Sequence, residues 1–377
     1  MTLFPEIEIF LSPPYVGEEE IVSVTAALSS GWVAPAGPAL DSFEDELARL
    51  SGCEAALALS SGTAALHLAA EVMPANHNRR WVLLPTKTFV ATANAFAYSG
   101  YEIRTIDCGI DLNVDEETTL QVLDDSAKAG QLPAAVILVD LYGNVVDAER
   151  IVAKCREYNV CVVEDAAEAL GGERNGQPAG SLGDLGILSF NGNKIITTSG
   201  GGALLGDVEP LARARYLSTQ AREEKPYYWH SEVGYNYRMS NLLAALGNAQ
   251  LANLATIVAN KRAIRARYKT ALEEVGINVL DFDSENHFSN AWLTVADLSQ
   301  SDLFPDEVVM ALKEIGAEAR RSWTPLHMQP LFRDSPHYGG SRAEQAFENL
   351  VCLPSGAGLT VAQQSSVCEK IRDIADP

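Results

Sequence analysis

Seven short apolar segments, alternating with longer stretches of helical period, restrict what this 377-residue chain can fold into more than any other feature of it. Residues 55–59, 81–85, 102–106, 134–140, 160–164, 186–190 and 203–205 read as strands, because they are short, apolar and bounded by turn-forming residues. Residues 63–73, 91–98, 116–129, 148–158 and 208–218 carry the helical repeat between them. Strands joined by helices pair side by side in the same direction, so the expected class is α/β, with a mainly parallel mixed sheet covered by helices. After about Asn241 the texture changes to a long helix over 242–275, then to less regular segments. A single core stops growing near roughly 250–300 residues. The chain is therefore expected to divide into a large domain over 1–245 and a smaller α+β domain over 246–377.

Composition narrows the partners. The formal charge of −22 repels polyphosphate, which argues against nucleic acid and acidic membranes. An anionic small substrate would then need a local cationic pocket. The six cysteines, at 53, 108, 155, 161, 352 and 368, form no C-x-x-C pair and no metal-like cluster with histidine, and read as reduced, mostly buried thiols. The first residues lack a basic region followed by an apolar run, and no apolar stretch approaches the roughly 20 residues of a membrane span. The expected location is the cytoplasm.

Ligands of such sheets bind beyond the carboxyl ends of the strands, which gives the residues there priority. Ser60-Ser61-Gly62-Thr63 follows the first strand and opens a helix, offering hydroxyls and free N–H groups to a phosphate or simply to a cap. Phe89 follows the second strand, where its ring could lie flat on a cofactor or pack as core. Asp165 closes the strand Val-Cys-Val-Val-Glu-Asp, and the small Ala166 and Ala167 behind it leave room for something flat. Ser189 ends the next strand and could reach the same phosphate as Thr63. Lys194 lies between Gly192-Asn193 and Ile195-Ile196, ahead of the run Gly200 to Gly202. An apolar setting penalises ammonium and favours the neutral amine that covalent chemistry needs. A carboxylate meeting a ring nitrogen is the matching half of a pyridoxal phosphate site, so Asp165 and Lys194 together suggest Schiff-base chemistry.

Eight segments then carry a more specific likeness: Phe10-Leu-Ser-Pro-Pro, Ser60-Ser-Gly-Thr-Ala-Ala-Leu-His, Thr88-Phe-Val-Ala-Thr-Ala, Leu141-Tyr-Gly-Asn, Glu164-Asp-Ala-Ala-Glu-Ala-Leu-Gly, Ser189 through Gly202, Gly234-Tyr-Asn-Tyr-Arg-Met-Ser-Asn and Cys352-Leu-Pro-Ser-Gly. Over essentially its whole length the chain resembles the DegT/StrS family of pyridoxal phosphate-dependent nucleotide-sugar aminotransferases, whose large domain has the aspartate-aminotransferase-like fold (fold type I). The resemblance implies that Lys194 bears the cofactor, Asp165 meets its ring nitrogen and Phe89 stacks on its face. It implies that Gly62, Thr63 and Ser189 hold the phosphate, that Asn236 reaches it from a second subunit of a homodimer, and that Glu168 lies near the ring hydroxyl.

Within the family, Glu168, Asn191-Gly192-Asn193, Ser199 and Ser218-Thr-Gln-Ala-Arg222 resemble the transaminases of bacillosamine biosynthesis. Those enzymes aminate carbon 4 of UDP-2-acetamido-2,6-dideoxy-4-hexulose. The implied reaction is ping-pong, with L-glutamate as donor, pyridoxamine phosphate as the intermediate cofactor form, and Lys194 moving the proton in both halves. Arg238, Arg320, Arg321, Trp323 and His327 are the candidate sugar-nucleotide contacts, each with an ordinary structural role as the alternative. A dTDP-linked substrate is the competing reading. A sugar dehydratase is disfavoured because relatives with that chemistry carry histidine in place of Lys194, and a non-catalytic sensor because no DNA-binding segment is appended.

Overall fold

The computed structural model describes residues 5–74 and 78–375. The strands, in chain order, are β1 (Ala55–Leu59), β2 (Trp81–Pro85), β3 (Glu102–Ile106), β4 (Ala135–Val139), β5 (Cys161–Asp165), β6 (Glu173–Arg174), β7 (Gln177–Pro178), β8 (Leu185–Ser189) and β9 (Gly202–Gly206). They continue with β10 (Asn278–Val279), β11 (His287–Phe288), β12 (Thr294–Asp297), β13 (Arg320–Arg321), β14 (His337–Tyr338) and β15 (Leu350–Leu353). Among the described residues one large sheet runs β1-β9-β8-β5-β4-β2-β3-β14. Its β8-β5-β4-β2-β3-β14 portion is parallel, whereas β9 runs antiparallel to both β8 and β1. β2, β4 and β5 are buried along their whole length, so both faces of the sheet need apolar side chains, and the sequence supplies near-continuous ones.

A second sheet, β10-β12-β15-β13, is antiparallel throughout. It packs with Ile264, Tyr268, Leu312, Val367 and Ile371 into a core of its own. Two segments cross the expected division at 245/246. Ile9, from the amino-terminal arm, joins that second core, and β14 pairs in parallel with β3 at the edge of the large sheet. The expected helix over 242–275 is two helices, Asn241–Ala252 and Leu254–Glu273, bent by 61°. Asn253 stands at the break, outside helical geometry, with its amide on Glu19 at 2.9 Å. Asparagine is a weak helix former that readily caps, which gives the bend a local cause.

The cysteines are all free, with Cys53 half-buried and the others buried. No single helix among the described residues is long and apolar enough to cross a membrane.

Candidate active site

The ends of β4, β5 and β8 and the segment after β2 converge on one place. Asp165 ends β5 and is buried. Its Oδ2 accepts from Thr92 Oγ1 at 2.7 Å, and its Oδ1 from the Ala167 N–H at 3.2 Å. Burial raises the Asp165 carboxyl above its ordinary value, while the Thr92 hydrogen bond and the Lys194 charge pull it back. Glu168 follows three residues later, with Oε2 accepting from the Tyr142 N–H at 2.7 Å. Burial raises Glu168 too, opposed first by Lys194 and then by the Tyr142 hydrogen bond. Tyr142 holds a left-handed backbone, φ 57°, which turns its N–H inward.

Lys194 Nζ stands 3.5 Å from Glu168 Oε1 and 4.1 Å from the centre of the Trp292 ring. Its setting is therefore not the apolar one expected from Ile195 and Ile196, which are buried in the main core. Two carboxyl groups and an indole surround the amine. The turn that presents it is fixed by the Asn193 carbonyl, which accepts from Trp292 Nε1 at 2.7 Å and Ser12 Oγ at 2.9 Å.

The candidate phosphate cradle also has local causes. Ser61 caps the helix Gly62–Val72 by accepting from the Ala64 N–H at 3.0 Å. A Cβ on Gly62 would come within 3.0 Å of Ser189 Cβ, and one on Gly202 within 2.4 Å of the Gly62 nitrogen. β8, β9 and the helix start therefore approach so closely that only glycine fits. Thr63 and Ser189 are half-buried there, with N–H groups of a helix start beside them. This donor set suits a phosphate, and the buried Asp165 suits a protonated ring nitrogen, so the residues fit pyridoxal phosphate. Phe89 is 54% exposed, with its ring 6.1 Å from that of Trp323 and tilted to it.

The candidate cations separate into two groups. Arg320, 60% exposed, pairs with Glu318 at 2.7 Å and lines a cavity of about 280 Å³ together with Asn193, Trp323, Phe10 and Leu293. Arg321 takes the opposite side of β13, where Asp306 binds it at 2.5 and 2.7 Å and Phe347 lies under it. Arg238 is only 7% exposed, ion-paired with Glu44 and donating to the Ala58 carbonyl at 3.1 Å. His327 is spent between Thr86 Oγ1, at 2.7 Å, and Glu344 Oε1, at 3.0 Å. Of these, Arg320 and Trp323 share the cavity beside Asn193, whereas Arg321, Arg238 and His327 serve the framework. Asn236 is exposed and pairs through its backbone with Thr219. A larger cavity of about 940 Å³ opens at the amino ends of β5 and β8 and is lined by none of the candidate cofactor or substrate residues.

Residue-by-residue reading did not single out Thr92, Tyr142, Lys87 or Trp292. Lys87 is fully buried, its amine lowered to about 8 by burial, and it holds Ser322 Oγ at 2.9 Å and the Trp323 carbonyl at 3.1 Å. Tyr142 Oη accepts from the Trp323 N–H at 2.9 Å, so Trp323 is clamped from both sides. Thr92 and Tyr142 lie inside matched segments, where their spacing from Phe89 and Asp140 was available as a signal. Trp292 sits in a loop with no such pattern.

A family model described as the DegT/DnrJ/EryC1/StrS aminotransferase family matches residues 14–372. The chain belongs to that family. This aminotransferase is 42% identical over 369 residues to EpsN of Bacillus subtilis (strain 168), named as a candidate pyridoxal phosphate-dependent aminotransferase, covering 96% of this chain and 94% of that protein. It is 31% identical to the GDP-perosamine synthase of Escherichia coli O157:H7, covering 96% of each chain. Among solved structures it superposes on DesI, determined in the presence of its TDP-sugar product, with a TM-score of 0.86 and 27% identity, covering 98% of this chain and 93% of that one. The fold expectation is borne out, and the protein is a pyridoxal phosphate-dependent sugar aminotransferase.

Proposed function

We propose that this enzyme transfers the amino group of L-glutamate to carbon 4 of a UDP-linked 4-keto-6-deoxy sugar, UDP-2-acetamido-2,6-dideoxy-4-hexulose, giving the UDP-4-amino sugar. The observation that carries the reading is Lys194 Nζ at 3.5 Å from Glu168, next to Asp165 and beside a cavity bearing Arg320 and Trp323. The UDP-4-keto sugar is supported by the likeness of Glu168, Asn191-Gly192-Asn193, Ser199 and 218–222 to bacillosamine transaminases. Relatives and neighbours named for GDP and TDP sugars make the nucleotide the point to test.

Bound pyridoxal phosphate supplies an electron-withdrawing ring that stabilises negative charge on the carbon losing its proton. The residues of this chain do the rest. Gly62, Thr63 and Ser189 would hold the phosphate, and Phe89 would lie against the ring. Asp165 holds the proton on the ring nitrogen through a charge-assisted contact. Lys194 would hold the cofactor and would move the proton at the reacting carbon. Glu168, raised by burial and pulled back by Lys194, would lie beside the ring oxygen. Asn236 completes the phosphate site of a second copy, so the active unit is a homodimer working in the cytoplasm.

The test is a panel of UDP-, GDP- and dTDP-linked 4-keto-6-deoxy sugars with L-glutamate, read by product mass and release of 2-oxoglutarate. The expected result is amination of the UDP-linked 2-acetamido sugar with the highest kcat/KM. Preference for a GDP- or dTDP-linked sugar would replace the substrate, and a dissociated monomer with full activity would remove the shared site.

A further inference from the structure

A second buried lysine stands behind the Asn193–Lys194 turn. Lys261, on the helix Leu254–Glu273, is 2% exposed. Its Nζ lies 2.9 Å from the Ser355 carbonyl, 3.1 Å from the Trp292 carbonyl and 3.2 Å from Ser12 Oγ. Burial lowers this amine to about 7, and no charged partner offsets it among the described residues. An amine placed like this calls for a reason, because lysine is rarely buried without a carboxylate.

Counting donors supplies one. The two carbonyl oxygens can only accept. Ser12 donates its single hydroxyl proton to the Asn193 carbonyl, so towards Lys261 it also accepts. Three acceptors require three N–H donors, which an ammonium has and a neutral amine lacks. The hydrogen bonds thus favour the charged form that burial opposes.

The three acceptors come from separate parts of the chain, the amino-terminal arm, the loop before β12 and the segment after β15. Two of them, Ser12 and Trp292, are also the donors that fix the Asn193 carbonyl, and the Trp292 ring lies 4.1 Å from Lys194 Nζ. We propose that Lys261 is a positioning residue for the transamination, its ammonium tying Ser12 to Trp292 so that the pair locks the peptide before Lys194 and the indole face holds the Lys194 amine. Lys261 touches none of the reacting atoms and acts through these two neighbours. This inference rests on Lys194 as the residue that bears the cofactor.

The experiment uses the holoenzyme. Borohydride reduction followed by peptide mass first checks that wild-type Lys194 carries the cofactor, and failure there defeats the reading of Lys194 rather than the role of Lys261. The pH titration of the Lys194–cofactor absorbance band is then compared in wild type, Lys261→Met and Ser12→Ala. Lys261→Met is expected to move the midpoint by about one pH unit, a tenfold change in that equilibrium, and to lower kcat about tenfold. Ser12→Ala keeps the Lys261 amine, removes one of its three acceptors and cuts one of two bonds to the Asn193 carbonyl. Contact with the indole face favours the protonated amine, so Ser12→Ala should move the midpoint downward. A folded Lys261→Met with the wild-type midpoint overturns the proposal. If Lys261→Met does not fold, an unmoved midpoint in Ser12→Ala overturns it equally.

Discussion

The Asn193–Lys194 turn has two sides, and the lysine on each keeps different company. In front, Lys194 faces Glu168, feels Asp165 and touches an indole, so its neighbours can take up or give back a proton. Behind, Lys261 meets two carbonyls and a hydroxyl whose proton is already committed. A lysine that must change its bonding partner sits among groups whose charge can change with it. A lysine surrounded by fixed acceptors can only hold things in place. The arginines divide the same way, with Arg320 on the cavity side and Arg321 and Arg238 on the framework side.

The comparison breaks most sharply at Lys194. Lys194→Ala should lower turnover by about 10⁴-fold if Lys194 has the proposed roles in proton transfer and attachment of the cofactor. It should also alter the pH dependence of the apoprotein. Asp165 and Glu168 are both raised by burial and both lowered by Lys194, so removing the amine raises them further. A carboxyl raised in the folded chain binds its proton there before it does in the unfolded chain. Its burial therefore costs stability at high pH, and the cost is relieved as pH falls through the folded value. Relative to wild type, the variant should be destabilised at pH 8 by on the order of 1–2 kcal/mol and recover towards pH 5. Melting curves of both apoproteins across that range check the sign, and a pH-independent difference would mean that the carboxyls do not feel the amine.

Asp165→Asn tests the other member of the front side. The amide oxygen can still accept from Thr92 at the place where Oδ2 now lies 2.7 Å away, so the fold should survive. The fixed negative charge is lost, and removal of one preorganised electrostatic partner costs about 10²–10³ in kcat. A variant with near-normal kcat would transfer the polarising role away from Asp165.

How far the front and the framework could be read from sequence follows from where each interaction lies along the chain. The strand ends were legible because an apolar run stops where the sheet stops, which placed Asp165 and Ser189 within a residue of their structural positions. Fully buried strands need such runs, and the runs are visible without neighbours. The antiparallel course of β9 and the addition of β14 to the large sheet were not legible, since pairing direction and a two-residue strand leave no periodic trace. The acidic setting of Lys194 was missed for a related reason. Ile195 and Ile196 are its neighbours in sequence, whereas Glu168 and Trp292 are its neighbours in space. Arg238 shows the same limit, because its partner Glu44 lies on a helix at the other end of the domain sequence.

The smallest expected effect comes from the two adjacent arginines of β13. Successive side chains of a strand point to opposite faces, so Arg320 and Arg321 cannot serve the same cleft. Arg320 lines the cavity beside Asn193 and Trp323, while Arg321 is held by Asp306 over Phe347. The guanidinium of Arg320 is mostly exposed and, among the described residues, bonded to Glu318 alone, a contact that a diphosphate could replace at little cost. Arg320→Ala should raise KM for the nucleotide sugar about tenfold, corresponding to about 1.4 kcal/mol of binding, with kcat nearly unchanged. Arg321→Ala should leave both constants within about twofold and reduce stability by no more than about 1 kcal/mol, as expected for an exposed ion pair. Steady-state kinetics of the two variants with the same sugar nucleotide decide the matter. Equal effects would show that the cavity side and the framework side are not separated at β13, and a reversed order would put the diphosphate on the Asp306 face.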